Sequence, residues 1–146
     1  MLAYPCRLEP ASQWDADDVG FVVTCRDLPE VATQGDDMDE AMAMAADAIA
    51  TALSACKGPG AWPRPSAARA GEVVVALPPL LAAKAGLWAA MAEAGVGNSA
   101  LARRLGVSEG VVRRLLNFRH RSHIGQLETA LATLGKRLVV EVQDAA

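Results

Sequence analysis

The chain has 146 residues and a formal net charge of −3, with 52% hydrophobic, 21% charged and only 4% aromatic residues. That balance excludes a disordered chain, and no apolar run reaches the roughly 18–20 residues that a membrane span needs. The start, Met1-Leu2-Ala3-Tyr4-Pro5-Cys6-Arg7, lacks the basic lead and long apolar stretch of a signal peptide, so a cytoplasmic protein without a membrane partner is expected. The charge is unevenly spread. Residues 1–70 carry five basic and eleven acidic side chains, a net of −6, whereas residues 71–146 carry nine basic and six acidic, a net of +3. Opposite signs in the two halves point to two small units with different partners.

Residues 1–9 read as a strand, residues 13–18 as a polar hairpin loop, and Val19-Gly20-Phe21-Val22-Val23-Thr24-Cys25, β-branched and apolar, as a second strand. Leu28-Pro29 breaks it, and Val31-Ala32-Thr33-Gln34 forms a short third strand ended by Gly35. A helix follows. Asp36 or Asp37 serves as its N-cap, and Asp39 and Glu40 place negative charge at the positive end of the helix dipole. Met38, Met42, Ala45, Ile49, Ala52 and Cys56 recur at helical spacing and predict the buried face, with Lys57 in the last turn and Gly58 as the residue that ends it. Residues 58–71, rich in Pro and Gly, read as a turn plus connector. Residues 71–77 form a fourth strand that rejoins the sheet.

Cys6, Cys25 and Cys56 are odd in number and lack the spacing of a metal knuckle or redox motif, so buried reduced thiols are expected. Asp15, Asp17, Asp18, Asp27, Asp36 and Asp37 raise the question of metal-dependent phosphodiester cleavage, which needs several converging carboxylates. Loop and cap roles account for them instead, and no His lies in this half to act as a base. No catalytic residue, cofactor or metal is predicted.

In the second half, Pro78-Pro79 precede the helical pattern Leu80, Leu81, Lys84, Leu87, Trp88, Met91, which Gly95 closes. Asn98 or Ser99 caps a short helix over residues 100–105, Gly106-Val107 makes a tight turn, and Ser108 caps a helix from Glu109 to about Asn117. This is the sequence shape of a helix-turn-helix. Leu101 and Leu105 pack inward, Ala102 allows close approach, and Val107, Val112 and Leu115 are expected to fill the angle between the helices. Between Arg103 and Arg121 there are six arginines and one acid, Glu109. Such density is the electrostatic footprint of phosphate binding. Arg113 and Arg114 are expected near base edges, with Glu109 as an acceptor from cytosine. Arg103, Arg104, Arg119, Arg121 and Asn117 are expected at phosphates, and Ser108 at the helix start. Residues 123–135 read as a further helix. Arg137-Leu138-Val139-Val140-Glu141-Val142 reads as a strand, for which pairing with a second copy or with the sheet is predicted. Leu138, Val139, Val140 and Val142 then dimerise the chain as a homodimer or homotetramer. His120 and His123 are isolated and read as surface or capping residues.

The series Asp27-Leu28-Pro29…Thr33-Gln34-Gly35-Asp36…Glu40-Ala41 after an apolar strand resembles the HicB antitoxin family, although Glu30 stands where Gly is usual. Trp62-Pro63-Arg64-Pro65-Ser66 resembles the Pro-rich exit of that domain, and the second half resembles the helix-turn-helix found after it in one branch. The resemblance implies an α+β fold. A small partial ribonuclease-H-like sheet-plus-helix domain without catalysis (residues 1–77, including connector 58–71) would precede an all-α helix-turn-helix domain with a C-terminal strand (residues 78–146). It implies binding to a HicA-type toxin, a small basic mRNA-cleaving ribonuclease, and repression of the shared operon through operator DNA. The acidic first half suits such a partner, with Asp15, Asp17, Asp18, Asp27 and Glu30 as candidate toxin-binding residues. A one-component regulator whose sheet domain senses a small ligand is the alternative.

Overall fold

The structure is a computed structural model that describes residues 2–144. It is mixed α+β, and the chain divides into two compact units, Met1–Pro78 and Pro79–Ala146. Among the described residues no helix is long and apolar enough to cross a membrane.

The first unit runs β1 (Ala3–Pro10), β2 (Phe21–Cys25), β3 (Ala32–Gly35), α1 (Met38–Ser54) and β4 (Glu72–Ala76). The strands form one antiparallel sheet in the order β3-β2-β1-β4. β1 is therefore central, with Cys6 opposite both Cys25 and Val73, and the fourth strand rejoins the sheet as the residues 71–77 pattern predicts. Tyr4, Cys6, Val23, Cys25 and Val75 share one face and are buried. The Leu28-Pro29-Glu30-Val31 turn closes with the Val31 N–H donating to the Leu28 carbonyl at 2.9 Å. No non-glycine described residue has positive φ, so a glutamate is accommodated at position 30 without strain.

Of the two cap candidates, Asp37 takes the position. Its carboxylate accepts from the Glu40 N–H at 2.8 Å, and the Glu40 carboxylate accepts from the Asp36 N–H at 2.7 Å. The first bond satisfies a donor that the first turn leaves without a helical partner, and the second ties the residue before the cap to the helix. The buried face of α1 centres on the predicted Ala45, Ile49 and Ala52, with Met42 and Cys56 half-buried, and it is wider than the predicted stripe. Ala41, Ala45, Ala46, Ile49, Ala50, Ala52 and Leu53 face inward, while Met38 and Met44 are exposed. Close approach explains the small side chains at its start. A Cβ placed on Gly35 would lie 2.3 Å from the Ala41 nitrogen, so β3 and the start of α1 meet backbone to backbone and only small side chains fit between them. The helix also ends before Lys57. Its cap is Ala55, the Trp62 indole N–H donates to the Leu53 carbonyl at 3.1 Å, and Gly58 instead opens a short 3-10 turn, Pro59–Ala61.

The connector is docked rather than loose. The Tyr4 hydroxyl donates to the Pro63 carbonyl at 2.7 Å, and the Asp27 carboxylate accepts from the Ser66 N–H at 2.7 Å and its hydroxyl at 2.6 Å. Arg26 donates to the Ala67 carbonyl at 2.7 Å.

The second unit is helical: α2 (Pro79–Ala94), α3 (Asn98–Leu105), α4 (Glu109–Leu116) and α5 (Ile124–Thr133). Leu87, Met91, Leu101, Ala102, Val112, Leu115, Leu127 and Leu131 form one buried cluster. α3 starts two residues earlier than expected, at Asn98, with Gly97 as its N-cap in place of Asn98 or Ser99. Gly106 adopts the left-handed conformation, φ 68°, that turns the chain from α3 toward α4. Val107 is exposed rather than packed between the helices, because the turn carries it to the surface. The strand expected over residues 137–142 does not form in the single chain. Leu138 packs against the helical cluster, while Val139, Val140 and Val142 are exposed. A strand exists only through hydrogen bonds to a neighbouring backbone, and the four-stranded sheet includes none from this segment.

Candidate functional site

The six arginines predicted to bind phosphate or bases are all exposed. Arg103 and Arg104 lie in the last turn of α3, Arg113 and Arg114 in the last turn of α4, and Arg119 and Arg121 in the loop that follows. The fold places them outward by a simple division of each helix. Leu101 and Ala102 of α3, and Val112 and Leu115 of α4, take the buried stripe and leave the basic positions to solvent. Cations in a last turn also complement the negative end of the helix dipole.

Two predicted site residues are held locally. Glu109 accepts a hydrogen bond from the Ser99 hydroxyl and lies 3.7 Å from Arg113, so its carboxylate ties the start of α4 both to α3 and to its own next turn. Asn117 uses its side-chain oxygen to accept from the Arg119 N–H at 3.0 Å, which shapes the loop rather than leaving that oxygen to a ligand. Ser108 occupies the N-cap of α4 without a side-chain cap bond.

The sequence reading missed the residue that holds the far end of α4. Lys84 of α2 is 0% exposed. Its ammonium donates to the Arg114 carbonyl at 2.8 Å, the Leu115 carbonyl at 3.3 Å and the Ser122 hydroxyl at 2.7 Å. Three donors meet three oxygens, as a buried ammonium requires. Burial holds its pKa below the ordinary lysine value. The signal was present as a lysine on the apolar repeat of α2, read there only as a helical position. One turn along, the Trp88 ring meets Phe118 edge-on, with centroids 6.2 Å apart.

The acidic candidates of the first unit separate into two groups. Asp15, Asp17 and Asp18 are exposed on the loop between β1 and β2, beside Trp14 (62% exposed) and Val19 (75% exposed). Glu30 is exposed on the next connection. Asp27 is taken up internally by Ser66 and lies 3.6 Å from Arg26. The Ser66 hydrogen bonds and the Arg26 charge outweigh desolvation and lower its pKa. Cys6 and Cys25 are buried opposite one another, and burial pushes the Cys6 thiol up to about 12, far from a reactive thiolate. Among the described residues no group of three His, Cys, Asp or Glu could hold a metal ion.

Residues 3–86 match the family model described as the HicB-like antitoxin of bacterial toxin–antitoxin systems. The chain is 40% identical to Antitoxin HicB of Pseudomonas fluorescens (strain Pf0-1) over 139 residues, covering 94% of this chain and 90% of the relative. It is 35% identical to Antitoxin HicB 2 of Photorhabdus laumondii, covering 94% of each, and 32% identical to Antitoxin HicB of Escherichia coli (strain K12), covering 94% and 96%. The chain therefore belongs to the HicB-like antitoxin family of bacterial toxin–antitoxin systems, a family of non-enzymatic regulators.

Proposed function

We propose that this chain binds and neutralises a HicA-type toxin through its first unit and represses its own operon through α3 and α4 acting as a helix-turn-helix. The observation that carries this reading is the opposition of charge between two compact units. The sheet unit displays Trp14 and Val19 among Asp15, Asp17 and Asp18, and the helical unit displays six arginines on two helices and one loop. An exposed aromatic anchor beside an aliphatic one and ringed by charge suits a protein interface, and complementary potential speeds encounter with a small basic toxin. Arginines on a capped helix pair suit DNA, where phosphate contacts position the protein and base contacts specify the site.

In this reading the sheet and α1 form the partial ribonuclease-H-like frame that the family resemblance implies. They hold the toxin-facing loop and perform no chemistry. α4 enters the major groove with Arg113 and Arg114 near base edges. Arg103, Arg104, Arg119 and Arg121 rest on phosphates. Residues 138–142 join two copies, so that two α4 helices stand about 34 Å apart on a palindromic operator. Both targets, mRNA-cleaving toxin and operator, place the protein in the cytoplasm.

The test is co-expression of the tagged chain with the product of a neighbouring short basic reading frame, followed by co-purification and a growth-rescue assay. Capture of the basic protein together with rescue supports the reading. A neighbouring product that neither binds nor harms growth sinks it. Trp14→Ala should weaken capture at least about tenfold if the loop is a central anchor.

A further inference from the structure

We infer that Lys84 and Trp88 are positioning residues for DNA recognition: α2 acts as a strut that fixes the C-terminal end of α4 and the arginine loop after it. This rests on the DNA-binding reading above and adds the part of the molecule that sets its geometry.

A buried ammonium is costly unless every proton is matched, and an apolar side chain of similar volume commonly packs as well or better. Packing alone therefore gives no reason for a cation at Lys84. Its three acceptors supply one. Two are carbonyls of the last turn of α4, at the negative end of its dipole, and that of Arg114 also accepts from the Asn117 N–H at 3.2 Å. The third is the hydroxyl of Ser122, which also lies 3.3 Å from the Arg114 carbonyl and 3.1 Å from His120 Nδ1. One point, Lys84 Nζ, thus joins the end of α4 to the far side of the loop. Within that span lie Arg119 and Arg121, with Arg113 and Arg114 immediately before it. Trp88 holds the middle of the span through Phe118. Both anchors project from the same side of α2, four residues apart.

Exposed arginines on a floating loop would have to be ordered at each binding event, and that ordering is subtracted from affinity. Base readout tolerates misplacement poorly, whereas phosphate attraction tolerates it well. Loss of the strut should therefore lower specific binding more than non-specific binding.

The experiment uses the full chain, a duplex from the segment immediately upstream of its own reading frame, and a random duplex of equal length. Lys84→Met and Ser122→Ala are compared with the unsubstituted chain, with amide hydrogen exchange followed over residues 113–122. Lys84→Met is expected to cost about tenfold or more on the upstream duplex and about threefold or less on the random one. Exchange over residues 117–122 accelerates, while capture of the toxin partner is unchanged. Ser122→Ala, which keeps α2 intact, shifts both readouts in the same direction by a smaller factor and decides the matter if Lys84→Met fails to fold. Equal loss on both duplexes, or wild-type affinity with unchanged exchange, overturns the inference. If the unsubstituted chain shows no preference for the upstream duplex, the DNA reading fails by itself. The positioning role then falls with it, although the exchange data still report whether Lys84 holds the loop.

Discussion

Arg26 and Glu72 face each other across the end of the sheet through two hydrogen bonds, Nε to Oε1 at 2.8 Å and a terminal guanidinium nitrogen to Oε2 at 3.1 Å. They sit on the strands or strand ends either side of central β1. The Arg69 N–H adds a third hydrogen bond to the same carboxylate at 2.7 Å. The fork geometry fits a carboxylate as no lysine would. Together with Ser66 on Asp27, it pins the connector to the sheet.

That pair makes acid stability testable. The Arg26 hydrogen bonds hold Glu72 down to about 2, from an ordinary 4.5, with the Arg69 N–H contributing next. A carboxylate depressed in the folded state stabilises above its unfolded pKa, and that contribution fades as pH falls through the folded one. The unsubstituted chain should lose stability between pH 4.5 and about 2. Glu72→Gln should flatten that part of the curve, as measured by urea melts across pH. An unchanged acid limb would show that solvent screens the pair.

Two glycines should respond with opposite sign. Gly35→Ala forces a methyl to within 2.3 Å of the Ala41 nitrogen, and backbone cannot give way as a side chain can. It should cost about 3 kcal/mol. At Gly110, inside α4, the nearest atoms are ends of flexible side chains and a hydroxyl at 3.6 Å or more. Gly110→Ala should gain up to about 1 kcal/mol from helix propensity. Thermal melts of the two variants distinguish them, and a tolerated Gly35→Ala would contradict the close approach of β3 and α1.

Arg113 and Arg119 should fail differently. Arg113→Ala should cost about 1–3 kcal/mol on the specific duplex and relax preference at one base pair. Arg119→Ala should weaken all sequences alike and reduce the slope of log affinity against log salt by about 1. Titrations at several salt concentrations give both quantities. Equal loss of Arg113→Ala on specific and random DNA would make it a phosphate contact.

The exposed valines at the C-terminus predict assembly. Deleting residues 137–146 should lower the oligomeric state in sedimentation, because Val139, Val140 and Val142 are exposed apolar side chains. An unchanged state would place the interface elsewhere.

The sequence by itself determined the four strands of the sheet, the helices and the exposed arginines, because these depend on signals that act over a few residues. β-Branched and apolar content marked β2, the pair Asp36 and Asp37 marked the start of α1, and Gly106 marked the turn between α3 and α4. Helical spacing also placed Ala45, Ile49 and Ala52 on the buried face of α1, and only the tertiary structure decided how closely β3 approaches the start of that helix at Gly35. It decided that the connector is held, through partners such as Arg26 and Glu72 that lie 46 residues apart. It decided that residues 137–142 are no strand within one chain. It also turned Lys84 from one position in a repeat into the anchor of α4, because its acceptors lie 30 or more residues away and no local pattern records them.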